Sequence, residues 1–192
     1  MEFYILLISF FIIALVYSSV GFGGGTSYLA LMGVILINFQ VMRPVALLCN
    51  IIVVTGGTYI FYKEGYLNVK KCWPFLLTSI PFAFVGGYWP IKQSTFFIIL
   101  GIALIAASFL LWFPDFLIDK KASKRAKSDN VLLNLGLGGA IGFLSGLVSI
   151  GGGIFLSPIL HLLNWDEAKK ISALASIFIL VNSISGLMGQ LT

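Results

Sequence analysis

Forty consecutive residues, 3–42, contain no Asp, Glu, Lys or Arg. One bilayer crossing needs only about 20 apolar residues, so this run is too long for a single straight span. It is interrupted by Gly21-Phe22-Gly23-Gly24-Gly25, which no helix interior favours. Five further apolar blocks follow, at 44–62, 73–89, 95–113, 131–163 and 171–191. The block at 131–163 is again too long and again broken by glycines, Gly151-Gly152-Gly153. The chain reads as an all-α, polytopic transmembrane bundle. A strand barrel would need residues of alternating polarity, whereas these runs are apolar all round.

Composition excludes the alternatives. The 192 residues are 59% hydrophobic and 10% charged, where soluble domains carry roughly a quarter charged residues. A net charge of +5 would suggest nucleic acid in a soluble protein. Here the densest basic run, Lys120, Lys121, Lys124, Arg125 and Lys127, lies in a short loop between apolar blocks. That pattern sets membrane orientation, and no nucleic-acid partner is expected. Cys49 and Cys72 imply no bridge. Met1-Glu2-Phe3 gives no basic region of a cleavable signal, so the first block is expected in the mature protein.

The two glycine breaks are related. Val20-Gly21-Phe22-Gly23-Gly24-Gly25 lies 128 residues before Val148-Ser149-Ile150-Gly151-Gly152-Gly153. After each comes an apolar half-helix, a polar bend, and a helix with a small polar centre, Asn50 to Gly57 or Ser176 to Ser185. Such spacing is the trace of a duplicated unit. The first repeat spans 1–113, with a broken segment at 3–42 and helices at 44–62, 73–89 and 95–113. A basic loop, 114–130, is expected in the cytoplasm. The second repeat, 131–192, has a broken segment at 131–163 and a helix at 171–191. It is expected to be incomplete, since no counterparts of the 73–89 and 95–113 helices follow in this sequence.

Two topologies fit. If each break is a hairpin returning to its own face, ten basic residues share one face and only Arg43 and Lys92 lie on the other. If each broken segment crosses once, the division is eight to four. The excess of positive charge on cytoplasmic loops favours hairpins, with the N-terminus outside.

A half-helix that starts inside the membrane directs unpaired N–H groups and a partial positive charge at the gap. Two such ends facing each other would hold an anion without a charged side chain. The expected site comprises Gly23, Gly24, Gly25 and Thr26 at one break and Ser149, Gly151, Gly152 and Gly153 at the other. Asn50, Thr55, Ser176 and Asn182 would shape it, because buried amides and hydroxyls need partners. The competing explanation is that glycines only allow close helix packing and serines bond their own helix carbonyls.

His161 is the single histidine and stands four residues after Ser157, on one helix face. A Ser–His hydrolase would need an orienting third group, which the sequence does not offer, so no enzyme is expected. All seven acidic residues fall in helix ends or loops. Proton-linked transport would therefore move the proton on the substrate or through His161. No metal or cofactor signature is present, so neither is expected.

At these motifs the chain resembles the sulfite exporter TauE/SafE family, also described as toluenesulfonate uptake permeases. The likeness rests on Gly21 to Gly25, on Ser145-Gly146-Leu147-Val148-Ser149-Ile150-Gly151-Gly152-Gly153-Ile154-Phe155-Leu156-Ser157-Pro158, and on Ala168 to Ser176. In the first copy Ala30 stands where the second has Pro158. The resemblance implies a multi-pass inner-membrane permease for small anions, such as organosulfonates or sulfite. Its partners would be the substrate, the bilayer and either a second copy or another membrane subunit. A truncated, non-transporting subunit of a larger assembly is the alternative.

Overall fold

The computed structural model describes residues 2–35, 38–112 and 131–192, and the basic loop 114–130 lies outside them. The described residues form helices without strands: α1 Glu2–Val20, α2 Gly25–Val34, α3 Phe39–Lys63, α4 Val69–Tyr88, α5 Gln93–Trp112, α6 Val131–Val148, α7 Gly153–Leu162 and α8 Ala168–Leu191. Four segments among them are long and apolar enough to cross a membrane: Phe39–Lys63, Gln93–Leu110, Val131–Val148 and Ala168–Leu191.

Helix boundaries follow local caps rather than hydropathy. α3 begins five residues before the expected position, because the Asn38 side chain accepts from Gln40 N at 2.9 Å and opens the first turn. Pro44 is tolerated close to that N-terminus. α4 likewise begins at Val69, behind an Asn68 N-cap. It runs through Pro74 and Pro81 to Tyr88.

The centre of the bundle is a backbone-to-backbone seam. α4 lies against α6 and α8, and a Cβ at Gly146 would collide with the Ala83 carbonyl. A Cβ at Gly142 would lie 2.6 Å from the Ser79 backbone, and one at Gly138 would strike the Phe75 carbonyl. On the α8 side, Gly87 meets the Gly186 carbonyl and Gly189 meets the Phe84 carbonyl. Such small-residue stripes let membrane helices approach closely. Thr78 donates to the Leu135 carbonyl at 2.8 Å and Ser185 to the Ile80 carbonyl at 2.6 Å, tying the same helices by hydrogen bonds.

These contacts fix direction. Gly138, Gly142 and Gly146 meet Phe75, Ser79 and Ala83 in order, so α4 and α6 run parallel. Lys71 Nζ lies 2.9 Å from Asp166 Oδ2, and Trp165 packs edge-on against Phe75 with ring centres 5.9 Å apart. The α3–α4 and α7–α8 loops therefore share one end of the bundle. α6 leaves from that end and α7 returns to it. The second broken segment is thus a hairpin.

The first broken segment is a hairpin from the opposite end. Phe10 stacks on Tyr28 with ring centres 4.8 Å apart, and Tyr17 OH lies 2.8 Å from Ser27 Oγ, so α1 and α2 run antiparallel. Gly21 sits beside Phe61 and Ser172, toward the Lys71–Asp166 end, while α2 runs away from it to the start of α3. Of the two topologies, the protein adopts the pair of opposed hairpins.

Candidate functional site

α2 and α7 are each 10 residues long, about 15 Å, or half the hydrocarbon thickness. Each starts in the middle of the bundle and runs outward, toward opposite ends. Their N-caps are Gly24 (φ 77°) and Gly152 (φ 84°), both in the left-handed conformation. Glycine reaches it without a steric cost, which is why the chain can turn from one helix into the next within four residues. Neither N-terminus has a side-chain cap. Ser27 N and Phe155 N already donate to the Gly24 and Gly152 carbonyls, so the N–H groups left as donors are those of Gly25 and Thr26 at the first break and of Gly153 and Ile154 at the second.

Asn50 joins the two breaks. It is fully buried, and its Nδ2 donates to the Ile150 carbonyl at 2.9 Å. A Cβ at Gly25 would lie 2.6 Å from Asn50 Nδ2, and one at Gly23 would strike Asn50 Oδ1. From the other side, a Cβ at Gly151 would lie 3.4 Å from Nδ2. Glycine is required at 23 and 25 by the closeness of this amide. Asn50 Oδ1 has no protein partner although it is buried. An unpaired acceptor at that depth is costly unless a ligand or water meets it.

Beside the first break lies a cavity of about 280 Å³, lined by Tyr17, Phe22, Gly23, Gly24, Gly25, Thr26, Ile150, Ile154, Ser157, Pro158, His161 and Ile179. No carboxylate lines it. Four of the expected site residues, Gly23, Gly24, Gly25 and Thr26, line this cavity, and Asn50 backs it. Gly151, Gly152 and Gly153 pack instead on α8 and α6, against Ile179, Ser183, Phe178, Ser145 and Ile141.

Four other expected residues lie apart. Thr55 is exposed, and its hydroxyl donates back to the Ile51 carbonyl of its own helix. Its neighbour Thr58 faces inward in its place, 2.8 Å from Ser176 Oγ, and Ser176 thus links α3 to α8 outside the cavity. Asn182 is fully buried, one turn before Gly186 on the α8 face that meets the glycine seam, and both its amide atoms lack partners. Ser149, buried and with φ 57°, accepts from Arg43 Nε at 3.2 Å and from Gln190 Nε2 at 2.8 Å at the far end of α6. Arg43 is a correction. Expected as a loop charge, it is only 9% exposed and sits between the Phe39 and Phe96 rings.

Ile154, Ser157, Pro158 and His161 form an i, i+3, i+4, i+7 stripe along α7, and this stripe makes one cavity wall. Its periodicity was available in the sequence. Tyr17 was not recoverable in that way, since it reaches the break from α1 only through the hairpin fold.

The profile of the sulfite exporter TauE/SafE family matches residues 6–192. The chain is 30% identical over 184 residues to "Probable membrane transporter protein y4hK" of Sinorhizobium fredii, covering 96% of this chain and 74% of that protein. No solved structure matches. The chain belongs to the TauE/SafE family of membrane transporters and is a multi-pass membrane protein.

Proposed function

We propose that this member of the TauE/SafE family carries a small anion, an organosulfonate or a sulfur oxyanion such as sulfite. The anion is held by the free N–H groups at the start of α2, and Asn50 behind them joins the two breaks. One observation carries the reading: an uncapped half-helix begins beside a mostly apolar cavity that no carboxylate lines. The partial positive charge of the helix N-terminus favours an anion there, and the surrounding apolar walls strengthen that field. The apolar lining suits the carbon part of a sulfonate, and Thr26 and Ser157 supply hydroxyls at its rim.

The end bearing Lys63, Lys70, Lys71, Lys169 and Lys170 would face the cytoplasm of the plasma membrane. His161, exposed in the last turn of α7 and lining the cavity, would stand at the cytoplasmic mouth.

The test is flux through the purified chain in proteoliposomes, with sulfite, sulfoacetate, taurine and thiosulfate against chloride. Thermal stability is recorded with the same panel, because a ligand that binds only the folded state raises stability by mass action. The expected result is a concentration-dependent rise with a sulfur anion, absent in Gly24→Val. Flux that persists in the Gly24→Val, Gly152→Val double variant would rule out the half-helix site.

A further inference from the structure

At the end of the bundle opposite the Lys71–Asp166 pair lies a recess of about 440 Å³ lined by Arg43, Gln190, Gln40, Tyr88 and Trp89 among others. We propose that this recess is a second anion site, the outer mouth of the path. Arg43 would take up a small oxyanion here before it reaches the hairpin tips. The proposal rests on the anion-transport reading for its role in a path, but not for the binding itself.

The argument begins with the charge. Arg43 is nine-tenths buried, and no carboxylate among the described residues pairs with it. A buried guanidinium without a counter-charge is costly, and proteins keep one where it has partners or a function. Two of its five N–H donors are used: Nε donates to Ser149 Oγ and Nη2 to the Leu147 carbonyl, each at 3.2 Å. Those bonds hold the C-terminal end of α6 and the Phe39 and Phe96 rings flank the cation, so the side chain is fixed in place. Nη1 makes no bond to any described residue. A fixed guanidinium with free donors is the usual recognition group for carboxylate, sulfonate and phosphate oxygens.

Gln190 is the second observation. Its Nε2 donates to Ser149 Oγ, which already accepts from Arg43, while its Oε1 is buried with no partner. Turning the amide over lets Oε1 accept from the Ser149 hydroxyl and puts Nε2 in that buried position, so in either orientation Gln190 braces Ser149 and, through it, Arg43. Arg43 would present its free N–H groups to the anion, with Gln190 and Ser149 holding it in place. Ser149, two residues before Gly151, connects this pair to the second hairpin tip. Occupancy of the recess would therefore be felt at the gap.

The same chemistry would suit the phosphate of an anionic lipid, so the source has to be separated by experiment. The full chain is placed in nanodiscs of zwitterionic lipid and titrated with sulfate and sulfoacetate at constant ionic strength. The signal is the part of the fluorescence lost in Trp89→Phe, since Trp89 lines the recess. A saturable signal is expected. It should weaken about tenfold or more in Arg43→Gln, as expected for loss of charge-assisted hydrogen bonds.

Because Arg43 also pins α6, Gln190→Glu serves as the second variant. It keeps Arg43 and gives it an internal carboxylate, so the chain should fold while anion binding at the recess is lost. Gly24→Val, which disables the hairpin-tip site, should leave the Trp89 signal intact. That combination separates this proposal from the transport reading. If Trp89-reported affinity is unchanged in both Arg43→Gln and Gln190→Glu, or disappears in Gly24→Val, there is no second site. If sulfate gives no signal in zwitterionic discs but phosphatidylglycerol does, Arg43 binds lipid and the proposal fails.

Discussion

Gly25→Ala is the most informative single change, because its effect is purely steric. Gly25 does not have a positive φ, so alanine brings no backbone strain. The new Cβ would lie 2.6 Å from Asn50 Nδ2, 3.2 Å from Asn50 Oδ1 and 3.2 Å from Ile150 Cα. Asn50 has to move, and its 2.9 Å bond to the Ile150 carbonyl breaks. Overpacking of this kind costs about 1–3 kcal/mol, and a buried carbonyl left unpaired costs about 1–3 kcal/mol more. We expect Gly25→Ala to destabilise by roughly 2–6 kcal/mol and to abolish anion flux. Gly56→Ala is the control, since nothing lies within 4 Å of its added Cβ.

The assay is reversible unfolding in mild detergent, run as a double-mutant cycle with Asn50→Ala. Shortening Asn50 removes the group that the new methyl strikes. The double variant should therefore be less stable than Asn50→Ala alone by under about 1 kcal/mol, a coupling well outside additivity for independent sites. If the two costs simply add, the hairpin tips are not held together through Asn50, and the geometry assigned to the site is wrong.

Other expectations follow from the packing and the charges. Thr58→Ala should cost about 0.5–1.5 kcal/mol through its lost bond to Ser176, whereas Thr55→Ala, on the exposed face, should be neutral within error in the same unfolding assay. Gly146→Leu should prevent assembly of α4 with α6, seen as aggregation on size-exclusion chromatography. Gly136→Ala, with open space around it, should be neutral or gain up to about 1 kcal/mol. Asp166 is 13% exposed. Burial pushes its carboxyl up, but hydrogen bonds from Lys71, the Glu167 N–H and Lys170 together outweigh this and hold it at about 2. Its folded value is below the ordinary one, so its contribution is present above about pH 4 and is lost as the pH falls toward 2. Unfolding measured between pH 6 and pH 2.5 should show a loss of about 1–2 kcal/mol that Asp166→Asn lacks.

Much of the fold was legible from residue chemistry. Long uncharged runs demand helices in a bilayer, and the glycine clusters at 21–25 and 151–153 mark where those helices must break. Helix ends were less legible, because Asn38 and Asn68 set them by single side-chain caps that hydropathy does not register. The inner face of α3 was misjudged by three residues, Thr55 for Thr58. Both are threonines in one apolar helix, and only the position of α8 tells them apart.

The sequence by itself determined that this chain is a helical membrane protein with two interrupted segments, since apolar length and glycine placement act locally. The tertiary structure alone decided three things. It opposed the two hairpins, which the charge distribution only favoured, because the direction of α6 depends on its glycine seam with α4. It made Asn50 the link between the breaks, through a bond between residues 100 positions apart. It drew Arg43 from an expected loop into a buried recess, where α6 and α8 supply its partners. Each depends on contacts between distant segments, and such contacts leave no periodic trace in the chain.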